Sequence, residues 1–369
     1  MWNNIHTPQL KDFFCSHYDR CVFKRVAGGG DIHRYDDIIS IENLLASWQE
    51  FLRGKRKRKD VEEFSVHLMD NIFALHSDLK NKMYVHDGYK AFKINDPKPR
   101  DIHKASVRDR LLHHAIYRIL YPYFDKKFIH DSYSCRIGKG THRAMNRFRD
   151  FFHKVSKNNT QTCWVLKCDI RKFFASIDHD ILKQILAKHI TDKNILWLLN
   201  QVIDSFQSRS TSNHLIFNNA IACLKMSIGL PLGNLTSQLL VNIYMNEFDQ
   251  YMKHVLKVKY YVRYADDFVI LSDNREELEE VKTKVSIILS EKLRLELHPD
   301  KVFIKTFSSG VDFLGWIHFP YHRVLRTATK RRMVKNLEQN TKEEIRRSYM
   351  GLLKHGDGYK LSKKMLQSF

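Results

Sequence analysis

Apolar residues recur at helical spacing over residues 36–52, where Ile38, Ile41, Leu44, Leu45, Trp48 and Leu52 share one face. Residues 61–82 predict a second amphipathic helix. A hairpin follows, from Tyr89 to Ile94, through a turn set by the prolines of Asp96-Pro97-Lys98-Pro99, and back from Arg100. The next helix runs from about Val107 to Leu120, with Pro122 as its stop. Gly138-Lys139-Gly140-Thr141 opens another, through about Val155. Cys163 to Ile170 alternates as a strand does, with Trp164, Leu166 and Cys168 on one face and Val165, Lys167 and Asp169 on the other. Residues 180–206 read as helical. Gly233-Asn234-Leu235-Thr236-Ser237 caps a long apolar helix reaching about Val255.

Two short β-branched and aromatic runs then flank Ala265-Asp266, which predicts a hairpin with Asp266 and Asp267 at its tip. Asn274 and Glu277 form a capping box for a helix carrying Leu278, Val281, Val285, Ile288, Leu289 and Leu293 on one side. Strands are expected at about 302–306 and 311–319. From about Thr327 the chain is helical and basic. No internal repeat is visible. Strands alternating with helices, hairpins included, predict an α+β fold with helices on one side of an antiparallel sheet.

Charge sharpens this picture. Lys and Arg number 62 against 41 Asp and Glu, a net charge of +21, which implies a polyanionic partner with a phosphate backbone as the default candidate. The run Gly54-Lys55-Arg56-Lys57-Arg58-Lys59 reads either as a solvated surface or as a contact to nucleic acid or an acidic partner. Gly28-Gly29-Gly30 reads as a flexible join. Cys15, Cys21, Cys135, Cys163, Cys168 and Cys223 include no CxxC pair, which argues against a zinc ribbon. No signal peptide and no apolar run of transmembrane length is present. The expectation is a cytoplasmic protein with reduced thiols and no membrane partner.

Adjacent carboxylates at a hairpin tip repel each other and gain nothing from packing unless a cation lies between them. Asp is also an ordinary turn residue, so this tetrapeptide alone is ambiguous. Asp169, at the end of an upstream strand, changes that. If its strand pairs with the hairpin, Asp169, Asp266 and Asp267 meet on one face and can hold two Mg²⁺ roughly 3.5–4 Å apart.

These blocks together resemble a reverse transcriptase. Leu166-Lys167-Cys168-Asp169-Ile170-Arg171-Lys172-Phe173-Phe174 resembles the first catalytic block and Tyr264-Ala265-Asp266-Asp267 the second. Pro231-Leu232-Gly233-Asn234-Leu235-Thr236-Ser237-Gln238 resembles the nucleotide-pocket block between them. Lys98-Pro99-Arg100 with Val107-Arg108-Asp109-Arg110 resembles the fingers block, and Phe313-Leu314-Gly315-Trp316 the primer grip. The blocks keep the family's order over about residues 90–320.

The resemblance implies a right-hand polymerase: an N-terminal helical extension with the basic run (1–88), fingers (89–165), a palm (166–319, with a fingers insertion at about 180–225) and a short helical thumb (320–369). It implies RNA-directed DNA polymerisation with Mg²⁺, or Mn²⁺ in its place, held by Asp169, Asp266, Asp267 and the Ile170 carbonyl. Phe174 matches the steric-gate position, against the alternative of a core aromatic. Lys93 or Lys98, with Arg100, would clamp the triphosphate, against the alternative of exposed hairpin charge. Leu232, Gly233 and Gln238 would line the nucleotide pocket, and Lys301 matches a lysine near the pyrophosphate. Lys330, Arg331 and Lys335 are the expected duplex contacts. Template RNA, cDNA or primer, and dNTPs are the implied partners.

Leu232-Gly233 and Ser237-Gln238 replace the Gln-Gly and Ser-Pro of intron and retroviral enzymes. This form resembles the reverse transcriptases of diversity-generating retroelements, as do Asn43-Leu44-Leu45, Ser134-Cys135-Arg136, Lys139-Gly140-Thr141-His142 and Leu353-Lys354-His355-Gly356. That subfamily makes error-rich cDNA from a template-repeat RNA and works with a small basic accessory protein that forms a pentamer. The alternatives are a stand-alone bacterial reverse transcriptase of another type, defence-associated or intron-derived, and a non-catalytic RNA-binding scaffold. The scaffold has no use for converging acids. No maturase or endonuclease module is evident before Phe369, so a full intron-encoded protein is not expected.

Overall fold

A computed structural model describes residues 34–95, 99–206, 227–339 and 343–368. The expected first helix is two: α1 (Tyr35–Ile39) and α2 (Ile41–Phe51). Ser40 divides them, because its hydroxyl accepts the Asn43 amide at 3.2 Å and caps α2. The helix expected over 61–82 likewise divides into α3 (Lys59–Val66) and α4 (Leu68–Lys80), with His67 off helical geometry between them. The glycine triplet, Cys15, Cys21, Cys223 and the Asp96-Pro97-Lys98 turn lie outside the described residues.

The basic run is only partly solvated. Arg53, Arg56, Lys57 and Lys59 are exposed, whereas the Lys55 ammonium lies over the Phe51 ring and donates to the Phe51 carbonyl at 2.9 Å. Burial, with Arg58 and Arg110 beside it, pushes Lys55 down to about 8. Asp60 anchors the segment that follows, accepting Lys104 at 2.6 Å and Arg110 at 2.5 Å.

Strands β1 (Tyr89–Ile94) and β2 (Arg100–Ala105) form the expected hairpin, in the register Tyr89↔Ala105 to Ile94↔Arg100. Helix α5 does not stop at Pro122; it runs Val107–Lys127 with the proline inside. An interior proline costs about 3 kcal/mol. Packing offsets that cost: Leu120, Tyr121 and Phe124 are buried, Tyr121 stacks on Tyr117 at 4.8 Å, and its hydroxyl accepts the Ile137 amide at 2.7 Å.

After α6 (Thr141–Val155) comes β3 (Trp164–Asp169). The helix expected over 180–206 is split into α7 (His179–His189) and α8 (Lys193–Asp204), the latter capped by Asp192. Then follow α9 (Leu235–Gln250), β4 (Tyr261–Tyr264), β5 (Asp267–Ser272), α10 (Arg275–Leu293) and β6 (Phe303–Thr306). The expected strand 311–319 is a hairpin, β7 (Val311–Phe313) and β8 (Trp316–His318), joined to β9 (Arg323–Leu325). Leu314 and Gly315 both take positive φ, 53° and 87°, the conformation of a tight two-residue turn. Helices α11 (Thr327–Gln339), α12 (Glu343–Leu353) and α13 (Tyr359–Ser368) end the described chain.

The central sheet is antiparallel, in the order β4-β5-β3-β6. Its cover differs from the expectation of helices on one side only. Leu166, Cys168, Phe268, Ile270 and Tyr261 face a core shared with α1–α5 and α7–α10. Val165, Val262, Val269 and Leu271 face a second core built from Phe148, Phe151 and Phe152 of α6, the β7–β9 sheet, and Met333, Leu337, Tyr349 and Leu353 of α11 and α12. The unbroken apolar run Phe268–Leu271 is what burial on both faces demands. Within this α+β architecture Asp169, the last residue of β3, and Asp267, the first of β5, lie at the same end of the sheet. No helix among the described residues is long and apolar enough to cross a membrane.

Candidate active site

Strand pairing brings the acids together. β3 and β5 run antiparallel with Asp169 directly opposite Asp267, so their side chains share a face with β-carbons about 5 Å apart. The Ile170 amide donates to the Asp266 carbonyl at 3.2 Å, which ties the hairpin turn to the end of β3. Ala265 takes φ +55°, turning the chain so that Asp266 stands at the tip and Asp267 becomes the first residue of β5. Asp169 and Asp267 therefore meet across the ladder, with Asp266 in the turn beside them.

Two lysines sit among them. Lys301 donates to Asp169 Oδ1 at 2.8 Å, and Lys167 Nζ lies 3.4 Å from Asp267 Oδ1. Lys167 and Asp267 are both nearly buried, whereas Lys301 is more than a third exposed. With the carboxylates leaning on ammonium groups, no three acidic, His or Cys side chains stand at metal-holding distance among the described residues. The donor set itself, three carboxylates and a neighbouring backbone carbonyl, is of the hard oxygen kind that suits Mg²⁺.

The pocket block is stitched to both neighbours. Phe174, in the 3₁₀ turn Phe173–Ser176, is half-buried, and its carbonyl accepts the Leu230 amide at 2.7 Å. Gly229 donates to the Ile177 carbonyl at 2.7 Å, and the His179 ring donates to the Gly229 carbonyl at 2.7 Å. On the other side, His103 of β2 donates to the Leu232 carbonyl at 3.1 Å, and the Asn234 side chain donates to the His103 carbonyl at 2.9 Å. Gly233, at φ +109°, lies against Ile102. Gln238 is buried in the first turn of α9.

Other expected residues stand apart. Arg100 and exposed Lys93 lie at the turn end of the β1–β2 hairpin, beyond the Ile102–His103 segment that touches the pocket block, and Lys98 is outside the described residues. On α11, Arg331 and Lys335 are exposed and Lys330 is half-buried, opposite the buried Met333 and Leu337. The Ile170 side chain is buried.

The sequence reading assigned no role to Lys167 or Arg263. Lys167 carried a signal, since it shares a strand face with Asp169 two residues on. Arg263 carried one too: an arginine inside a strand of aromatic and β-branched residues needs a buried partner. That partner is Asp249 of α9, with both side chains fully buried.

Comparison with known proteins agrees with these blocks. The family profile described as "Reverse transcriptase (RNA-dependent DNA polymerase)" matches residues 93–318, well over half of the chain. The chain is 26% identical over 294 residues to protein YkfC of Escherichia coli K12, covering 69% of this chain and 72% of that protein. It is 22% identical over 287 residues to the group II intron-encoded protein LtrA of Lactococcus lactis subsp. cremoris, covering 61% of this chain. A putative COX1/OXI3 intron 2 protein of Saccharomyces cerevisiae is 23% identical over 263 residues. The chain spans only 45% and 30% of the length of those two intron proteins. Among solved structures, telomerase from Candida albicans with a fragment of telomeric RNA gives a TM-score of 0.49 at 12% identity, covering 78% of this chain and 56% of that one. Apo telomerase from Candida tropicalis, truncated from its C-terminal domain, gives 0.47 at 13%, covering 70% and 60%. With its ordered blocks and the profile match across them, the chain belongs to the reverse transcriptase (RNA-dependent DNA polymerase) family.

Proposed function

We propose that this protein is an RNA-directed DNA polymerase whose reaction centre is the Asp169, Asp266 and Asp267 cluster. The observation that carries the reading is the register placing Asp169 opposite Asp267 with the Asp266 turn bonded to Ile170. Asp169 and Asp266, assisted by Asp267 and the Ile170 carbonyl, would hold two Mg²⁺, with Mn²⁺ able to replace them. When bound, such ions lower the pKa of a primer 3′-hydroxyl and neutralise the triphosphate. The chain's own contribution is positioning. Phe174 and Leu232 shape the floor of the nucleotide pocket, with Gly233 and Gln238 beside them. Lys93 or Lys98, with Arg100, would clamp the triphosphate, since arginine suits bidentate phosphate contact. Lys301 stands ready to meet the pyrophosphate end, and Lys330, Arg331 and Lys335 meet the duplex backbone. The corresponding division is extension 1–88, fingers 89–165, palm 166–319 and thumb 320–369.

Within the family, the Leu232-Gly233 and Ser237-Gln238 forms support a diversity-generating retroelement enzyme that makes error-prone cDNA and takes a small basic pentameric partner. The intron-protein relatives favour a second reading, a group II-like bacterial reverse transcriptase of another type. A near-duplicate repeat pair beside the gene, differing mainly where one copy has adenine, decides for the first; its absence decides for the second.

The decisive assay is Mg²⁺-dependent dNTP incorporation on a primed RNA template by the wild type and Asp266→Ala. Activity in the wild type that falls at least about 10³-fold in the variant is expected, since charge stabilisation and positioning supply most of the acceleration. A wild type that binds RNA but incorporates nothing makes the protein a scaffold.

A further inference from the structure

We infer that Arg263 is the positioning residue of this site, holding the Ala265–Asp266 turn at the height at which Asp266 works. The inference rests on the reading of Asp266 as a metal-binding acid.

Arg263 points to the face of β4 opposite Asp267, away from the reacting groups. A guanidinium has five N–H donors in a rigid fork, and here all five are engaged. Nε donates to Asp249 Oδ1 at 2.8 Å, and Nη2 to Asp249 Oδ2 at 2.6 Å and to Ser132 Oγ at 3.1 Å. Nη1 donates to the Asn242 side chain at 3.4 Å and to the Ala265 carbonyl at 3.1 Å. That last bond falls on the residue with positive φ, a conformation costing a non-glycine residue roughly 1–2 kcal/mol. The turn is thus held by a group anchored in α9 and in the loop around Ser132.

The backbone of Arg263 is held from the same loop. Its amide donates to the Asp131 carbonyl at 3.0 Å, and its carbonyl accepts the Tyr133 amide at 2.9 Å. The loop is fixed in turn: Arg136 donates to the Ile129 and Ser132 carbonyls at 2.7 and 3.0 Å, and Asn242 donates to the Ser134 carbonyl at 2.9 Å. This accounts for the Ser134-Cys135-Arg136 motif, which the reaction itself does not use: it braces the acidic hairpin from outside.

Lysine at 263 keeps the charge opposite Asp249, but as a point charge it cannot span Asp249, Ser132 and the Ala265 carbonyl together. In Arg263→Lys, Mn²⁺ binding followed by electron paramagnetic resonance weakens about tenfold. Turnover falls about 10²-fold, the scale of an ångström-sized misplacement, while the dNTP KM stays within twofold. Ser132→Ala, which removes one hydroxyl and no volume, weakens Mn²⁺ binding about threefold. A purely structural arginine would instead lower the melting temperature and leave Mn²⁺ affinity and turnover of the folded protein unchanged, which overturns the inference. Should Arg263→Lys not fold, wild-type Mn²⁺ affinity and turnover in Ser132→Ala overturn it as well. Asp266→Ala is the control: if it too binds Mn²⁺ and polymerises like the wild type, the reading of the site itself has failed.

Discussion

A β-carbon on Gly233 would stand 3.0 Å from Ile102 Cγ2, so the pocket block and the β1–β2 hairpin meet at a contact that a methyl group would crowd. Two hydrogen bonds through His103 flank it, to the Leu232 carbonyl and from Asn234. Hairpin and pocket are therefore one unit in which a shift of either moves the other.

Gly233→Ala meets both the contact and the φ of +109°, and crowding of this kind costs about 1–3 kcal/mol. The dNTP KM is expected to rise about tenfold. Adding Ile102→Ala makes space for the new methyl and recovers part of that loss. A double-mutant cycle on KM reads the coupling, and strict additivity would refute the contact.

Removing one member of the buried Arg263–Asp249 pair leaves the other charge stranded, which costs about 3–5 kcal/mol. Asp249→Ala also orphans the Tyr261 hydroxyl, which donates to Asp249 at 2.7 Å. The unfolding free energy of this variant extrapolated from urea should fall by that much, which lowers the midpoint with its slope unchanged.

Several histidines are held neutral inside the protein. Burial, with Lys55 and Arg110 nearby, pushes His114 down to about 3. Burial and Arg323 do the same to His318, and burial with His355 takes His142 to about 4. These folded-state values lie below the ordinary 6.5, so the unfolded chain binds the extra protons. Stability is full above about pH 6.5 and falls as pH drops from there toward 3. At pH 5 the deeply buried His114 and His318 each remove about 2 kcal/mol, and the half-buried, solvent-screened His142 removes less. Melting temperatures at pH 7.5 and 5 measure the fall, and His318→Phe, among the rings of Phe148 and Phe313, should make it shallower.

Leu232 cannot donate a side-chain hydrogen bond, whereas the resemblance to intron and retroviral enzymes implies a glutamine at this position. If the missing polar contact relaxes selection of correctly paired nucleotides, Leu232→Gln lowers misincorporation opposite adenine. Sequencing products of primer extension on a defined RNA template tests this, and an unchanged error spectrum removes the idea.

Much of the site was legible in the sequence because it is local: Asp169 ends an alternating strand, and Asp266 follows the turn residue Ala265. The register that sets Asp169 against Asp267 was conditional on strands that no local pattern could pair. Pro122 misled because its local penalty is offset by rings distant in sequence. The apolar alternation of Val165, Val262 and Val269 held the evidence for a second covered face, yet it was read as one-sided. Leu314-Gly315 was passed over because Leu is an unusual turn residue. Arg263 announced a buried partner, but which of many acids would supply it depended on the fold.

Strand β4 lies at the margin of its sheet, where unsatisfied amides and carbonyls invite another chain to add on. The Asp131–Tyr133 loop claims the Arg263 amide and carbonyl there. The segment carrying the proposed metal-binding acids is thereby denied to intermolecular strand addition, so a lesion in that loop should reveal itself as self-association and loss of soluble protein as well as reduced turnover.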